Sequence, residues 1–448
     1  MSTHDEVIET CSSTDVELVR LLYVGNDGVP RGRVVDADQI ESTLAGGINL
    51  SSAMQSFNSL DHLAPGGMFG AAGEVRMVPD PETFRVLPYA DRAAVMLCDL
   101  YDLDQSPWNA DPRNALTSFL DEIPYDVNAA FESEFYLTRE SDDGEMIPFD
   151  QSVCFGADGM QNTNDIILDM TDALKAQDMD IVAYYPEYGP GQQELVVKHA
   201  PGLRAADNHV LYKQTINGVA SNHGVDATFL PKPLPDAAGS GCHIHVSLWD
   251  DGENAFYDPD SDGQYGLSET ARHFIGGVLD HAPALVALTA ATITSYRRLR
   301  PHMWASAFTC WGQDNREAIV RVPSSQWDDP SETTRLEFKP ADNTANPYLA
   351  ELGLLAAGMD GVQRKLDPGD PVNEDPAEMA PDERESRGIR RLPETLGEAI
   401  TELAADDVLA SAFGETLFQS YLEVKRSQWD EFTGTVTEWE RETLTRSF

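Results

Sequence analysis

The chain has 448 residues, 41% of them hydrophobic, and carries a formal net charge of −45 from 76 acidic and 31 basic side chains. A surface this acidic repels nucleic acid and anionic membranes, which excludes both as expected partners. Five scattered cysteines without CxxC spacing exclude a disulfide framework, and no run approaches the ~18–20 apolar residues of a membrane-spanning helix.

The acids are spread through loops, as at residues 141–145, rather than gathered in one tail. Diffuse charge of this kind is expected of a halophilic protein, because high salt screens the self-repulsion. No basic or apolar leader opens the chain, so a cytoplasmic location is expected. The length allows two or three domains at ~150 residues each.

In chain order, residues 1–20 read as a short helix, 17–24 as a strand, 25–28 as a turn and 31–36 as the return strand. Residues 46–73, rich in Gly, Ser, Ala and Asn, read as a long loop before strands at 74–79 and 93–99. The first hundred residues therefore predict a small, mainly β domain. A Pro-rich joint at 104–112 leads to a helix at 113–122.

Residues 131–135 then put Glu132 and Glu134 on one face of a strand. An acidic hairpin or loop is predicted at 138–165, a helix at 165–177 and a strand at 180–185. The loop at 186–194 has Glu187 and Glu194 closing its two ends, before a strand at 195–198 and a helix at 207–224. A Gly-Ser-Gly turn at 239–241 opens a strand of period two. It places His243, His245 and Ser247 on one face and Ile244, Val246 and Leu248 on the other.

Helices are predicted at 268–290 and 346–359. Between them, residues 335–339 put Arg335, Glu337 and Lys339 on one strand face, opposite Leu336 and Phe338. Residues 367–388 read as an exposed Pro- and acid-rich excursion, and helices at 392–411 and 415–446 close the chain. Each charged strand alone fits a half-solvated antiparallel sheet. Three together predict a polar cavity lined by acids, histidines and bases.

Five motifs in this order resemble the glutamine synthetase family, in the dodecameric type of bacteria and archaea, over nearly the whole chain. They are ESE at 132–134, EYGPGQQE at 187–194, GSGCHIHVS at 239–247, NREAIVR at 315–321, and RLE at 335–337 with NPY at 346–348. The resemblance implies an α+β fold with a small β-grasp-like N-terminal domain, residues 1–105, which completes the site of a neighbouring subunit. It also implies a catalytic domain, residues 106–448, whose curved antiparallel sheet is flanked by helices. The assembly it implies is a homo-oligomer of two stacked hexameric rings.

The reaction the resemblance implies is ATP-dependent. A carboxylate is a poor acyl donor, so glutamate is first activated as γ-glutamyl phosphate and then joined to an amine or to ammonia. Two anions must meet, and divalent ions on oxygen ligands allow that. By resemblance, Glu134, Glu187 and Glu194 would hold one Mg²⁺ or Mn²⁺, and Glu132, His243 and Glu337 another. Arg298, Gly239 and Lys339 would receive glutamate. Arg316 would steady the phosphoryl group in transfer, and Arg321, Arg335, His245 and Ser247 would contact ATP.

The chain also departs from the family pattern. Lys339 stands where an Arg is usual, and Ala238 where an Asn is usual. On the flap that covers the site, Trp304 stands in place of the Glu that deprotonates ammonium. Asn49 and Glu74 align with two acids of the ammonium pocket, and Cys154 and Phe155 with a pocket tyrosine. The amine half is thus rewritten, in a way similar to γ-glutamyl-amine ligases such as glutamate–putrescine ligase, with Glu74 the candidate base. An ammonia-using glutamine synthetase with another base and a non-catalytic scaffold are the alternatives.

Overall fold

The computed structural model describes residues 3–261 and 264–447. Thr3 and Glu6 cap each other's backbone and start helix α1 (His4–Ser13). Strands β1 (Leu18–Val24) and β2 (Pro30–Asp36) form the expected hairpin, with Leu18 opposite Asp36. Helix α2 (Ile40–Gly46) and strands β3 (Ile48–Ser51), β4 (Glu74–Pro79), β5 (Arg85–Val86) and β6 (Ala93–Tyr101) complete the domain. The sheet order is β2-β1-β6-β4-β3, with β5 paired to β6. Its β1–β6 pair is parallel and its other pairs are antiparallel.

The continuous apolar run in β6 is explained by burial on both faces. Ala94, Met96, Cys98 and Leu100 pack with Val7 and Cys11 of α1 into the small domain's own core. Ala93, Val95 and Leu97, on the opposite face, join the main core. The stretch 46–73 is not all loop, because β3 pairs with β4 and sets Asn49 opposite Arg76 and Ser51 opposite Glu74. Four residues are too few to show a period against Gly- and Ser-rich flanks.

Helix α3 (Pro112–Glu122), capped by Asp111, leads into β7 (Asp126–Glu140) and β8 (Met146–Pro148). Next come α4 (Ala157–Lys175), β9 (Ile181–Pro186), β10 (Gln192–Val197), β11 (Ala200–Pro201) and α5 (Gly202–Asn222). Strands β12 (Asp226–Thr228), β13 (Cys242–Asp250) and β14 (Glu253–Asn254) precede α6 (Glu269–Thr289) and α7 (Ser295–Arg298). Then follow β15 (Phe308–Gln313), β16 (Ala318–Val322), α8 (Pro330–Thr333) and β17 (Leu336–Phe338). The path of this 11-stranded sheet is β15-β16-β17-β13-β7-β10-β9. It is antiparallel along that path except for the parallel pair β15–β16.

Helix α4 begins well before the expected residue 165, and β10 begins at Gln192 rather than 195. Glu194 therefore lies within a strand and is buried, not at a loop end. The chain ends with α9 (Pro347–Arg364), α10 (Pro381–Ser386), α11 (Leu396–Ala404), α12 (Asp407–Phe413), α13 (Glu415–Gly434) and α14 (Glu438–Leu444). The two expected C-terminal helices are thus four. Helices α6 and α9 touch through Gly277, where a Cβ would meet the Ala357 carbonyl oxygen at 2.1 Å. The excursion at 367–388 is anchored, since Val372 and Met379 bury against Phe308, Cys310 and Ile389.

Arg113 on α3 ties the small sheet to helix α5. Its guanidinium donates to Asp99 (2.6 Å) and Asp80 (2.7 Å) on one side and to Asp207 (2.9 Å) on the other. Asn346 donates to the carbonyls of Val24 and Gly25. Among the described residues, no helix is long and apolar enough to cross a membrane.

Candidate functional site

Strand β13 runs between β7 and β17, and this register assembles the site. His243 pairs with Glu132 across one boundary, and His245 with Glu337 across the other. His243 Nδ1 lies 3.2 Å from Glu132 and 3.4 Å from Glu337. Ligand atoms of Glu132, His243 and Glu337 all lie within 4.8 Å of one another. His245 Nε2 is 3.4 Å from Glu132. Burial works to raise the Glu132 carboxyl, but His245 and His243 outweigh it and hold the group well below the usual range. Glu337 is fully buried, yet Lys339 and the two histidines bring it down to about 2. His243 is lowered, first by burial and then by Lys339, a direction that favours the neutral imidazole a metal needs.

A second acidic group lies beside the first. Glu134 on β7 pairs with Glu194 on β10. The Glu134 carboxylate accepts from Gln192 Nε2 (2.8 Å) and the Gly241 amide (2.9 Å). The Tyr185 hydroxyl donates to Glu194, and Glu187 accepts from the Tyr188 amide. Burial, then Glu134, pushes Glu187 up to about 7. Burial, then Glu132 and Glu134, raises Glu194 well above its usual value. Five carboxylates and one imidazole, with Glu187 and Glu194 raised by burial and by neighbouring acids that a cation would offset, fit Mg²⁺ or Mn²⁺.

The cations surround these acids. Arg321 Nη1 donates to Glu337 at 2.5 Å, while its buried Nε has no partner among the described residues. Lys339 Nζ lies 3.3 Å from His243 Nε2 and 3.4 Å from Glu337. Arg335 Nε donates to His245 Nδ1 (3.2 Å). Glu132, His245, Ser247, Trp249 and Arg335 line one cavity. Arg298 is buried beside His243, and its guanidinium donates to the carbonyls of Lys339, Pro340 and Ala341. A Cβ on Gly239 would strike Arg298 Cγ at 2.7 Å, so this position leaves room for the arginine.

On the flap, the Trp304 amide donates to Glu317 Oε1 (2.8 Å). The Trp304 ring is 60% exposed, lies under the Arg316 guanidinium and faces Tyr188, with ring centroids 6.1 Å apart. Phe155 packs edge-on against Tyr185 at 5.2 Å. Asn49 and Glu74 are not brought to this group within one chain. They are exposed on β3 and β4 of the small sheet, and no hydrogen bond or ion pair among the described residues links them to Trp304. The sequence reading missed Tyr185, Tyr188, Gln192 and Glu317. The first lies just before the 187–194 motif and the others inside recognised motifs, but which strand face or loop tip they occupy depends on pairing.

The glutamine synthetase N-terminal domain family matches residues 3–108, and the glutamine synthetase catalytic domain family matches residues 109–444. The glutamine synthetase of Halobacterium salinarum is 35% identical, over 99% of this chain and 96% of its own. That of Methanocaldococcus jannaschii is 34% identical, over 97% and 96%. A solved GmaS/ADP complex superposes with a TM-score of 0.86 at 29% identity, covering 100% of both chains. A glutamine synthase homologue superposes at 0.83 with 32% identity, covering 94% of this chain and 96% of its own. With both domains matched end to end around this cluster of acids, histidines and bases, the chain belongs to the glutamine synthetase family of ATP-dependent carbon–nitrogen ligases.

Proposed function

We propose that this enzyme joins the γ-carboxyl group of glutamate to a primary alkylamine and uses ammonia poorly. The observation that carries this reading is the exposed Trp304 ring on the flap, paired with Tyr188. An indole accepts no proton. Two aromatic faces can instead hold an alkylammonium by cation–π attraction of about 0.5–2 kcal/mol. Each buried methylene adds about 0.8 kcal/mol, which favours a diamine such as putrescine over ammonium before entropic costs. The ADP bound by the related GmaS is in keeping with ATP as the activating substrate.

In this reading Glu134, Glu187 and Glu194 hold one divalent ion, and Glu132, His243 and Glu337 hold another. The ions supply the positive charge that lets a carboxylate meet a phosphoryl group. Arg321, Arg335, His245 and Ser247 receive ATP, and the buried Arg321 Nε, without a partner among the described residues, is a donor a phosphate oxygen can satisfy. Arg316 leaves the Trp304 ring to steady the phosphoryl group. Gly239, Lys339 and Arg298 receive glutamate, Arg298 by exchanging neutral carbonyls for a carboxylate, the stronger acceptor. Asn49 and Glu74 reach the amine side from a neighbouring subunit of two stacked hexameric rings. This reading accounts for their exposed position on the small sheet.

The curated relatives are named glutamine synthetase, which favours ammonia as the second reading. Amine-dependent phosphate release with ammonium, ethylamine and putrescine decides between them. The expected order of kcat/KM places both amines above ammonium, and the reverse order removes the alkylamine reading.

A further inference from the structure

Trp304 leaves the flap without a carboxylate side chain, yet a carboxylate lies directly beneath it. Glu317 sits on the turn that opens β16 and is 7% exposed. Its Oε1 accepts the Trp304 amide at 2.8 Å, while its Oε2 makes no hydrogen bond among the described residues. Its own amide donates to Asn315 Oδ1 (2.9 Å), and Asn315 Nδ2 donates to the carbonyls of Val372 (2.8 Å) and Glu374 (3.0 Å). The carboxylate is therefore held by the Trp304 amide, and the Glu317 backbone by Asn315. Lys339, whose Nζ touches His243 and Glu337, lies within its electrostatic reach, as do Asp375 and His302 on the flap side. Glu317 thus lies under the flap, with Lys339 of the ligand cluster within its electrostatic reach, next to the Arg316 that covers the Trp304 ring.

We infer that Glu317 is the carboxylate of the amine pocket, its Oε1 positioning the flap and its Oε2 binding the ammonium group and taking its proton. The inference rests on the ligase reading above and supplies the base that Trp304 cannot be. One proton passes from R–NH₃⁺ to Oε2. The freed lone pair forms the C–N bond to the γ-carbonyl carbon of γ-glutamyl phosphate, and the C–O bond to phosphate breaks. The second N–H proton leaves with the phosphate, and Glu317 returns its own to solvent. Burial, opposed in part by the Trp304 amide, raises the Glu317 carboxyl, which makes it a stronger proton acceptor than an exposed carboxylate. Glu74, by contrast, reaches the site only from another subunit.

The test is Glu317→Gln in the assembled enzyme with Mg²⁺, ATP and glutamate. Glutamine keeps an acceptor for the Trp304 amide and loses the charge and the base. With ethylamine at neutral pH, kcat/KM should fall by about 100-fold or more. With hydroxylamine, which is largely uncharged there, the fall should be at least about tenfold smaller. Equal losses with both nucleophiles, or none with either, would overturn the assignment. A second measurement uses the wild type alone, as the ratio of ethylamine to hydroxylamine turnover against pH. With Glu317 as base, the ratio is flat between the ionisation of Glu317 and that of the amine, at about 10.4. A ratio that climbs about tenfold per pH unit means that free amine attacks unaided, and it too would overturn the assignment. If the wild type prefers ammonium, the alkylamine reading falls. Glu317→Gln assayed with ammonium in place of ethylamine then still decides the role of Glu317.

Discussion

Tyr188 and Trp304 face each other with ring centroids 6.1 Å apart, although they come from loops on opposite sides of the chemical cluster. Tyr188 directly follows Glu187, an acid raised first by burial and then by Glu134. Trp304 is tied by its amide to Glu317. An apolar surface is thereby set beside the carboxylates. Such an arrangement suits the proposed substrate, with its cationic head and hydrocarbon tail.

Trp304→Glu should raise ammonium-dependent kcat/KM and lower that for ethylamine, shifting the ratio by about tenfold or more. Losing cation–π contact of about 0.5–2 kcal/mol accounts for roughly 2- to 30-fold of this, and the restored carboxylate for the remainder. Trp304 already has φ of 52°, so another L residue asks no new strain of the backbone. An unchanged ratio would make Trp304 a structural flap residue only.

Glu194→Gln should cut turnover by about 100-fold or more while the protein still folds. Glu194 is buried on β10 among Glu132, Glu134 and Glu187, and these acids raise it. Removing its charge relieves repulsion, so the melting temperature without divalent ions should rise. The further rise on adding Mn²⁺ should be smaller than in the wild type, because a ligand is gone. Near-normal turnover would remove Glu194 from the metal set.

His281 on α6 is clamped between Asp406 (2.6 Å), which caps α12, and Asp360 (3.0 Å) on α9. Burial opposes its charge, but the two carboxylates outweigh that and raise its pKa. The folded state therefore holds this proton more tightly than the unfolded chain. The stabilisation is complete below the unfolded value of about 6.5 and is lost as pH rises through the folded value. His281→Gln should cost about 1.5–3 kcal/mol at pH near 6 and less at pH near 9. Denaturant titrations at the two pH values measure this, and a cost independent of pH would show that His281 is neutral in the native state.

The net charge of −45 predicts that assembly depends on salt. Light scattering should show large assemblies at roughly 1 M salt, where the screening length is about 3 Å, and smaller species at roughly 10 mM, where it is about 30 Å. Activity should fall with assembly if the small domain completes a neighbour's site. A dissociated chain that keeps full activity would refute shared sites, and an active assembly at low salt would refute halophily.

The sequence alone determined what depends on local order. The period of two at 243–248 set His243 and His245 on one face and Ile244 and Val246 on the other, because alternation is intrinsic to an extended chain. Ser268 and Asn346 marked two helix starts, since their side chains cap the first free amides. Motif resemblance supplied the proposed ligand set. Tertiary structure alone decided which faces meet. Glu132 reaches His243, and Glu194 reaches Glu134, through strand registers that no local signal encodes. The β3 strand is visible only from β4, its partner. The excursion at 367–388 is anchored by apolar contacts with β15, distant in sequence. Glu317 reads as one acid in a recognised motif until the fold brings the Trp304 amide onto its carboxylate. The position of a carboxylate relative to a flap is a long-range contact, and long-range contacts follow from packing rather than from period or propensity.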